Sequence, residues 1–363
     1  MDTYRLAEEG RPADRRRAAA TAREVARLAG VSQMTVSRVL NQPEKVNEAT
    51  ADRVREAIRA LNYRPNVMAQ GLAGGKSLLI GLLYHNPSAD YLSEVMFGAL
   101  RACRERGHHL LVEDYLFGRD WSDEAAVADA IVGSGVQGLV VCPPVGEDPR
   151  AARTLRRVGV PFVRISTDAA AGSEPSEEGG GGLSIGIDDR AAARAMTEHL
   201  LALGHEEVAF IAGPSDHASS KQRLAGFRLA MKEAGRPVAR GRVARGAYTY
   251  RSGMEAALSI LEAGARPTAI FASNDDMAAG AVAAAMQKGL RVPDDLSVAG
   301  FDDVSLATVV WPALTTVRQP IAQMVERAVA CLEDEAFGEA PARPARLPFS
   351  IVERDSVRPP ARK

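Results

Sequence analysis

Thr21-Ala-Arg-Glu24-Val-Ala-Arg-Leu-Ala-Gly30-Val-Ser32-Gln33-Met34-Thr-Val-Ser37-Arg38-Val-Leu-Asn41 is the stretch whose reading decides the fold. Thr21 with Glu24 three residues on is a capping box. The hydroxyl accepts from a first-turn amide, and the carboxylate reaches back to the Thr21 amide. Val25, Leu28 and Ala29 fall on one face of the helix that follows. Gly30 supplies a left-handed turn. Ser32 caps a second helix running to about Leu40, with Val31, Val36 and Val39 inward. Asn47 caps a third helix, striped by Val54, Ala57, Ile58 and Leu61. Two short helices joined by a glycine-containing turn make a helix-turn-helix.

In that motif the start of the second helix enters the major groove of DNA. Gln33, Met34 and Arg38 then point outward. Glutamine pairs with adenine, arginine with guanine, and methionine offers apolar contact, for example to a thymine methyl. Ser32, Thr35 and Ser37 are small donors suited to phosphate or base edges. The bland alternative is a helix pair that merely packs, with these polar residues solvated. Charge favours nucleic acid. Residues 11–64 hold 12 Lys and Arg against 6 Asp and Glu, an excess of +6, leaving −7 on the rest of a chain whose net charge is −1.

The run from Glu24 to Asn41, followed by Leu61-Asn-Tyr63-Arg-Pro65-Asn66 and Ala69-Gln-Gly71-Leu72, resembles the LacI/GalR (lactose-repressor) family of bacterial transcription regulators. The resemblance extends from about Thr21 to Val357. It implies a hinge helix from Asn66 to Gly71 that pairs with its copy across a homodimer in the minor groove. Leu72 would wedge between the central base pairs, at a cost of a few kcal/mol per unstacked step; the plainer reading of Leu72 is an apolar linker residue. Gly71 weakens such a helix by roughly 1 kcal/mol relative to alanine, which fits a helix that folds only on DNA. The expected DNA-facing set is Ser32, Gln33, Met34, Thr35, Ser37, Arg38, Asn41, Asn66, Ala69 and Leu72.

The remaining composition mostly excludes. A chain of 363 residues exceeds one typical core. Cys103, Cys142 and Cys331 lack metal spacing and read as reduced, buried thiols of a cytoplasmic protein. No run of about 18 apolar residues suggests a membrane span. Residues 1–20 carry Arg15-Arg-Arg17 but no apolar core, so a flexible basic arm is expected there and not a signal peptide. H-E-x-x-H and C-x-x-C are absent. Gly71-Leu-Ala-Gly-Gly-Lys76-Ser77 only superficially resembles a P-loop, because its first glycine is one residue too close and it precedes a strand. His199, His205 and His217 lack ligand spacing, and His205 is expected to favour the negative end of a helix. No catalytic residue, cofactor or metal is expected.

From Leu78 onward, apolar runs of strand type alternate with helical segments. The pattern breaks at a Gly-, Ser- and Glu-rich loop near 167–182 and restarts at Leu183. Such alternation means parallel sheets with helices on both faces. The expected fold is an all-α helix-turn-helix head plus an α/β core of two doubly wound, parallel-sheet subdomains. The family resemblance makes that core like the periplasmic binding proteins and implies that the chain crosses between subdomains more than once. The expected divisions are the arm at 1–20, the head at 21–64, and the hinge helix and linker at 65–77. A core at 78–357 and a tail at 358–363 follow. Subdomain one takes about 78–166 with 320–346, and subdomain two about 183–319 with 347–357.

Ligands in open parallel sheets bind beyond the strand carboxyl ends. Arg223, Tyr248, Asn274 and Asp302 fall there, and by motif they match effector positions of the family. A guanidinium, an amide, a carboxylate and a ring suit a hydroxyl-rich or carboxylate ligand. Asn274 and Asp302 could instead simply cap the helices that follow them. His85, Asp90 and Ser166 complete the expected set from subdomain one. Ser166 stands where many relatives carry aspartate, and Arg164 where they are apolar. The implied function is a cytoplasmic, nucleoid-associated repressor: a homodimer on a pseudopalindromic operator, controlled by a small-molecule, sugar-like effector. The tail lacks a leucine heptad, so no tetramer is expected. The competing reading is a cytoplasmic sugar-binding protein without a DNA role.

Overall fold

In the computed structural model, residues 21–41, 43–61, 77–112, 123–165, 183–264, 266–338 and 345–361 are described. The chain forms two compact units, 1–75 and 76–363. The hinge at Asn66–Gly71, the arm at 1–20 and the loop at 167–182 lie outside the described residues.

The first unit contains α1 (Ala22–Ala29), α2 (Gln33–Asn41) and α3 (Glu48–Ala60). The capping box is formed: the Thr21 amide donates to Glu24 Oε2 at 2.7 Å, and the Glu24 amide to Thr21 Oγ1 at 3.3 Å. Gly30 holds φ 65° and closes α1, a conformation that a Cβ would strain. Ser32 Oγ accepts from the Thr35 amide at 3.1 Å and opens α2. Asn47 Oδ1 accepts from the Ala49 amide at 3.0 Å and opens α3. Val25, Ala26, Ala29, Val36, Val39, Ala51, Val54 and Ala57 make the core. Leu28 departs from the sequence expectation. It is 56% exposed, and Ala26 takes the inward place. With helices this short, the small alanine lets them approach closely where leucine would hold them apart.

The second unit holds two six-stranded sheets. The first runs β1 (Leu79–Leu83), α4 (Ala89–Glu105), β2 (His109–Val112), α5 (Glu124–Ser134), β3 (Gly138–Val141), α6 (Pro149–Val158), β4 (Phe162–Ile165) and β5 (Leu183–Gly186). The second begins with α7 (Asp189–Ala202), β6 (Val208–Ala212), α8 (Ala218–Glu233), β7 (Val243–Arg245) and α9 (Tyr250–Glu262). It continues with β8 (Ala269–Ala272), α10 (Asp275–Gln287), β9 (Ser297–Asp302), α11 (Leu306–Val309) and β10 (Thr315–Arg318). Last come α12 (Ile321–Phe337), β11 (Ala345–Arg346) and β12 (Ser350–Val352).

Strand order is β11-β5-β4-β3-β1-β2 in one sheet and β12-β10-β9-β8-β6-β7 in the other. Each sheet reverses its winding between its first and third strands, and a crevice opens at that switch point. Every pairing is parallel except β12 on β10. The strand at Leu183 corrects the expected boundary. It joins the first sheet, with Val163, Arg164 and Ile165 in register with Leu183, Ser184 and Ile185. Its apolar periodicity says that it is a strand but carries no information on which sheet it completes. The chain then passes into the second lobe, where α7 packs on α8. It returns after β10, when α12 packs on α4, β3 and β4. It crosses a last time between β11 and β12.

Gly226 sets the α7–α8 spacing. A Cβ there would lie 2.1 Å from the Arg190 carbonyl oxygen. Behind these helices Phe210 stacks on Phe227 at 4.9 Å and meets Phe271 edge-on at 5.2 Å. His205 is a second correction. It is buried, its Nδ1 pairs with Thr268 Oγ1 at 3.0 Å, and its Nε2 lies 2.9 Å from the Arg358 carbonyl. Burial lowers its pKa, so it is a neutral tie for the C-terminal segment and no partner for a helix dipole.

Candidate functional site

The head presents one polar face. Val36 and Val39 anchor α2, which leaves Gln33, Met34, Ser37 and Arg38 exposed on the opposite side. Met34 is 65% exposed, although burial is the normal fate of so large an apolar side chain. Ser32 Oγ and Thr35 Oγ1 lie 2.9 Å apart, so these two hydroxyls brace the helix start. The Asn41 side chain, with Asn66, Ala69 and Leu72, lies outside the described residues.

The core's site is built where strand ends of the two lobes meet. Arg223, one turn into α8, is buried. Its Nε donates to Asp189 Oδ1 at 2.7 Å and its Nη1 to the Ser273 carbonyl at 2.5 Å, with Asp302 Oδ1 at 3.5 Å. The guanidinium lies 3.7 Å over the Phe301 ring. Burial alone would favour loss of its proton, but Asp189 and Asp302 reverse this and raise its pKa. Burial pushes Asp302 up to about 7, against the pull of Arg223 and of Gln319, whose Nε2 donates at 2.5 Å.

Tyr248 is buried beside them. Its hydroxyl lies 3.4 Å from Ser219 Oγ and its ring 5.5 Å from that of His217. Asn274 does cap α10, accepting from the Met277 amide at 3.0 Å, and it also donates to the Tyr248 carbonyl at 3.1 Å. Asp302 caps nothing. Tyr248 and Asp302 hold φ of 59° and 112°, backbone conformations that non-glycine residues enter at a cost of about 1–3 kcal/mol each.

Among the described residues, Ser88 and Glu147 of the first lobe hydrogen-bond across to the second. Ser88 Oγ, at the start of α4, donates to Asp276 Oδ2 at 2.6 Å. Glu147, just before α6, accepts from the Ser219 amide at 3.2 Å on each carboxylate oxygen. Burial, then Asp189, pushes the Glu147 carboxyl up to about 7, opposed by the Ser219 amide and Arg223. Between these contacts the free space is only 40 Å³, room for a few water molecules.

All four residues expected from the second lobe line this cavity. From the first lobe, Asn86 and Ser88 line it in place of His85 and Asp90. His85 lines an adjoining, more apolar cavity of 680 Å³ with Tyr84, Leu92 and Pro214. Asp90 lines neither cavity. Ser166 lies outside the described residues. Sequence reasoning missed Glu147, Asp189, Ser219 and Gln319. Ser219 begins the helix that carries Arg223 and was within reach. Asp189 was hidden by the misplaced Leu183 strand.

A helix-turn-helix head joined to a two-lobed, cleft-bearing α/β core defines a ligand-responsive DNA-binding regulator. The family model "Bacterial regulatory proteins, lacI family" matches residues 21–66, and that of the periplasmic binding protein-like domain matches 197–357. The chain is 32% identical over 345 residues to the HTH-type transcriptional regulator AscG of Escherichia coli (strain K12), covering 93% of this chain and 98% of that one. It is 33% identical over 313 residues to the ribose operon repressor of the same strain, covering 85% and 91%. Among solved structures, the lac repressor dimer bound to operator and the anti-inducer ONPF aligns with a TM-score of 0.77 at 31% identity, covering 94% and 99%. The chain belongs to the lacI family of bacterial transcription regulators. These relatives are regulators and not enzymes. Among the described residues no helix is long and apolar enough to cross a membrane.

Proposed function

We propose that this protein is a cytoplasmic repressor acting on the nucleoid, without catalytic activity of its own, whose operator affinity is set by a carbohydrate effector in the interlobe cleft. The observation that carries this reading is the buried Arg223 cluster. A fixed guanidinium with the Asp189 and Asp302 carboxyls and the Asn274 amide is a directed set of donors and acceptors for hydroxyls. The ribose operon repressor is a relative whose name concerns a sugar, in line with this reading.

On DNA, Gln33, Met34, Ser37 and Arg38 read the major groove, with Ser32, Thr35 and Asn41 at its rim. Asn66, Ala69 and Leu72 act in the minor groove as a hinge. Two copies bind a pseudopalindrome as a homodimer. Exposed Phe97 and Leu100 on α4, and Met286, Val309 and Trp311 on the second lobe, supply the apolar surface that such an interface needs. The inner cleft at 40 Å³ is far below the roughly 300 Å³ of a small-ligand pocket, so an effector that reaches the Arg223 cluster requires the lobes to shift. That shift changes operator affinity only by the difference in effector affinity between the two arrangements.

The test is fluorescence anisotropy with duplex DNA from upstream of the protein's own gene and a scrambled duplex, at two salt concentrations. Selective binding that is released or tightened by a sugar supports the reading. Equal and steeply salt-dependent binding to both duplexes would reduce the head to phosphate contacts on these sequences.

A further inference from the structure

The start of α8 is built to receive an anion. It is a 16-residue helix whose N-cap residue, His217, makes no side-chain cap. Its second residue, Ser219, lines the interlobe cavity, and Arg223 stands one turn further on. Exposed amides, the positive helix end and a guanidinium together favour phosphate or carboxylate. In this chain the receptor is already filled. Glu147 of the opposite lobe accepts from the Ser219 amide with both oxygens and lies 3.4 Å from its hydroxyl. Arg223 Nε and Nη1 are engaged by Asp189, Asp302 and the Ser273 carbonyl. Two buried carboxyls therefore share the guanidinium, and a third, Glu147, occupies the helix start beside it.

From this geometry we infer that Glu147 sets the charge specificity of the cleft, rejecting effectors that carry phosphate or carboxylate and admitting neutral polyhydroxyl ones. The inference rests on the carbohydrate reading above. An anionic effector would have to displace Glu147 from the α8 amides and add a further negative charge beside Asp189 and Asp302. Like charges brought together in a desolvated site oppose binding strongly. A neutral sugar instead donates its hydroxyls to these acids and leaves the charge balance untouched. A Glu147 that only capped α8 would have no influence on ligand charge.

The test compares the wild type with Glu147→Gln, which keeps an acceptor for the Ser219 amide and removes the charge. Calorimetric titrations of the full chain at pH 8, where Glu147 and Asp302 are ionised, use glucose with its monophosphate and ribose with its monophosphate. The expected result is that wild type binds one of the neutral sugars at least about tenfold more tightly than its phosphate, and that Glu147→Gln narrows this ratio to about threefold. Operator binding without ligand should survive in the variant, showing that it folds. Equal affinity of wild type for a sugar and its phosphate overturns the inference, as does an unchanged ratio in a folded variant. If Glu147→Gln does not fold, the wild-type ratio alone decides. Binding of none of the four ligands would bring down the carbohydrate reading itself and the inference with it.

Discussion

Arg38 and Arg223 carry the same charge and do opposite work, because one is exposed and the other buried. Arg38→Ala should leave the head folded and weaken operator binding by about 1–3 kcal/mol, read by anisotropy. Arg223→Ala should abolish the effector response and, by leaving buried acids unpaired, destabilise the core by about 3–5 kcal/mol in urea melts. Titration follows the same logic. Glu147 and Asp302 are pushed up to about 7, so the folded core holds protons that the unfolded chain releases. Their burial therefore costs stability in full above pH 7, and the cost shrinks as pH falls from about 7 toward the ordinary carboxylate range near 4. Burial lowers the pKa of His108, His205 and His217, which act the other way once pH drops below about 6.5. The melting temperature should rise as pH falls from about 7.5 to 6.5, and Asp302→Asn should flatten that rise. Arg223, Tyr248, Asn274 and Asp302 could be picked out of the sequence because each follows or ends a strand. Glu147 could not, since it meets Ser219 across 72 residues and no local pattern reports such a meeting.

At the level of elements, close packing leaves its trace at glycine. Gly226→Ala would drive a methyl into the Arg190 carbonyl and the Arg194 amide, both backbone and unable to swing aside. A loss of about 1–3 kcal/mol is expected in denaturant melts. Gly133→Ala, near the end of α5 with nothing within 4 Å of its new methyl, should stabilise by about 0.5–1 kcal/mol. The elements themselves were legible, because apolar runs and caps are local: the Thr21 box and the Ser32 and Asn47 caps all form as the residues dictate. What was not legible was partnership. Leu183–Gly186 reads as a strand of either sheet, and only the register with Val163 to Ile165 assigns it. Leu28 fits an amphipathic stripe on paper, yet the close approach of α1 to its neighbours selects Ala26.

For the whole molecule, the two-lobed core explains why the cleft and the exposed apolar residues occupy different surfaces. Met286, Val309 and Trp311 line neither interlobe cavity, so dimer formation and effector binding should be separable. Trp311→Glu should shift sedimentation toward monomer and lower operator affinity while leaving sugar titrations of the core unchanged. The three crossings, between Gly186 and Asp189, Arg318 and Ile321, and Arg346 and Ser350, have a further consequence. Neither lobe is one continuous stretch of gene. The head lies wholly upstream of Gly75, and one recombination event in the following linker could graft it onto another sensor. Replacing the second lobe would take coordinated joints at all three crossings. Descendants of this gene are therefore free to exchange their DNA-reading ends, while their ligand preferences must drift by point substitution within an inseparable pair.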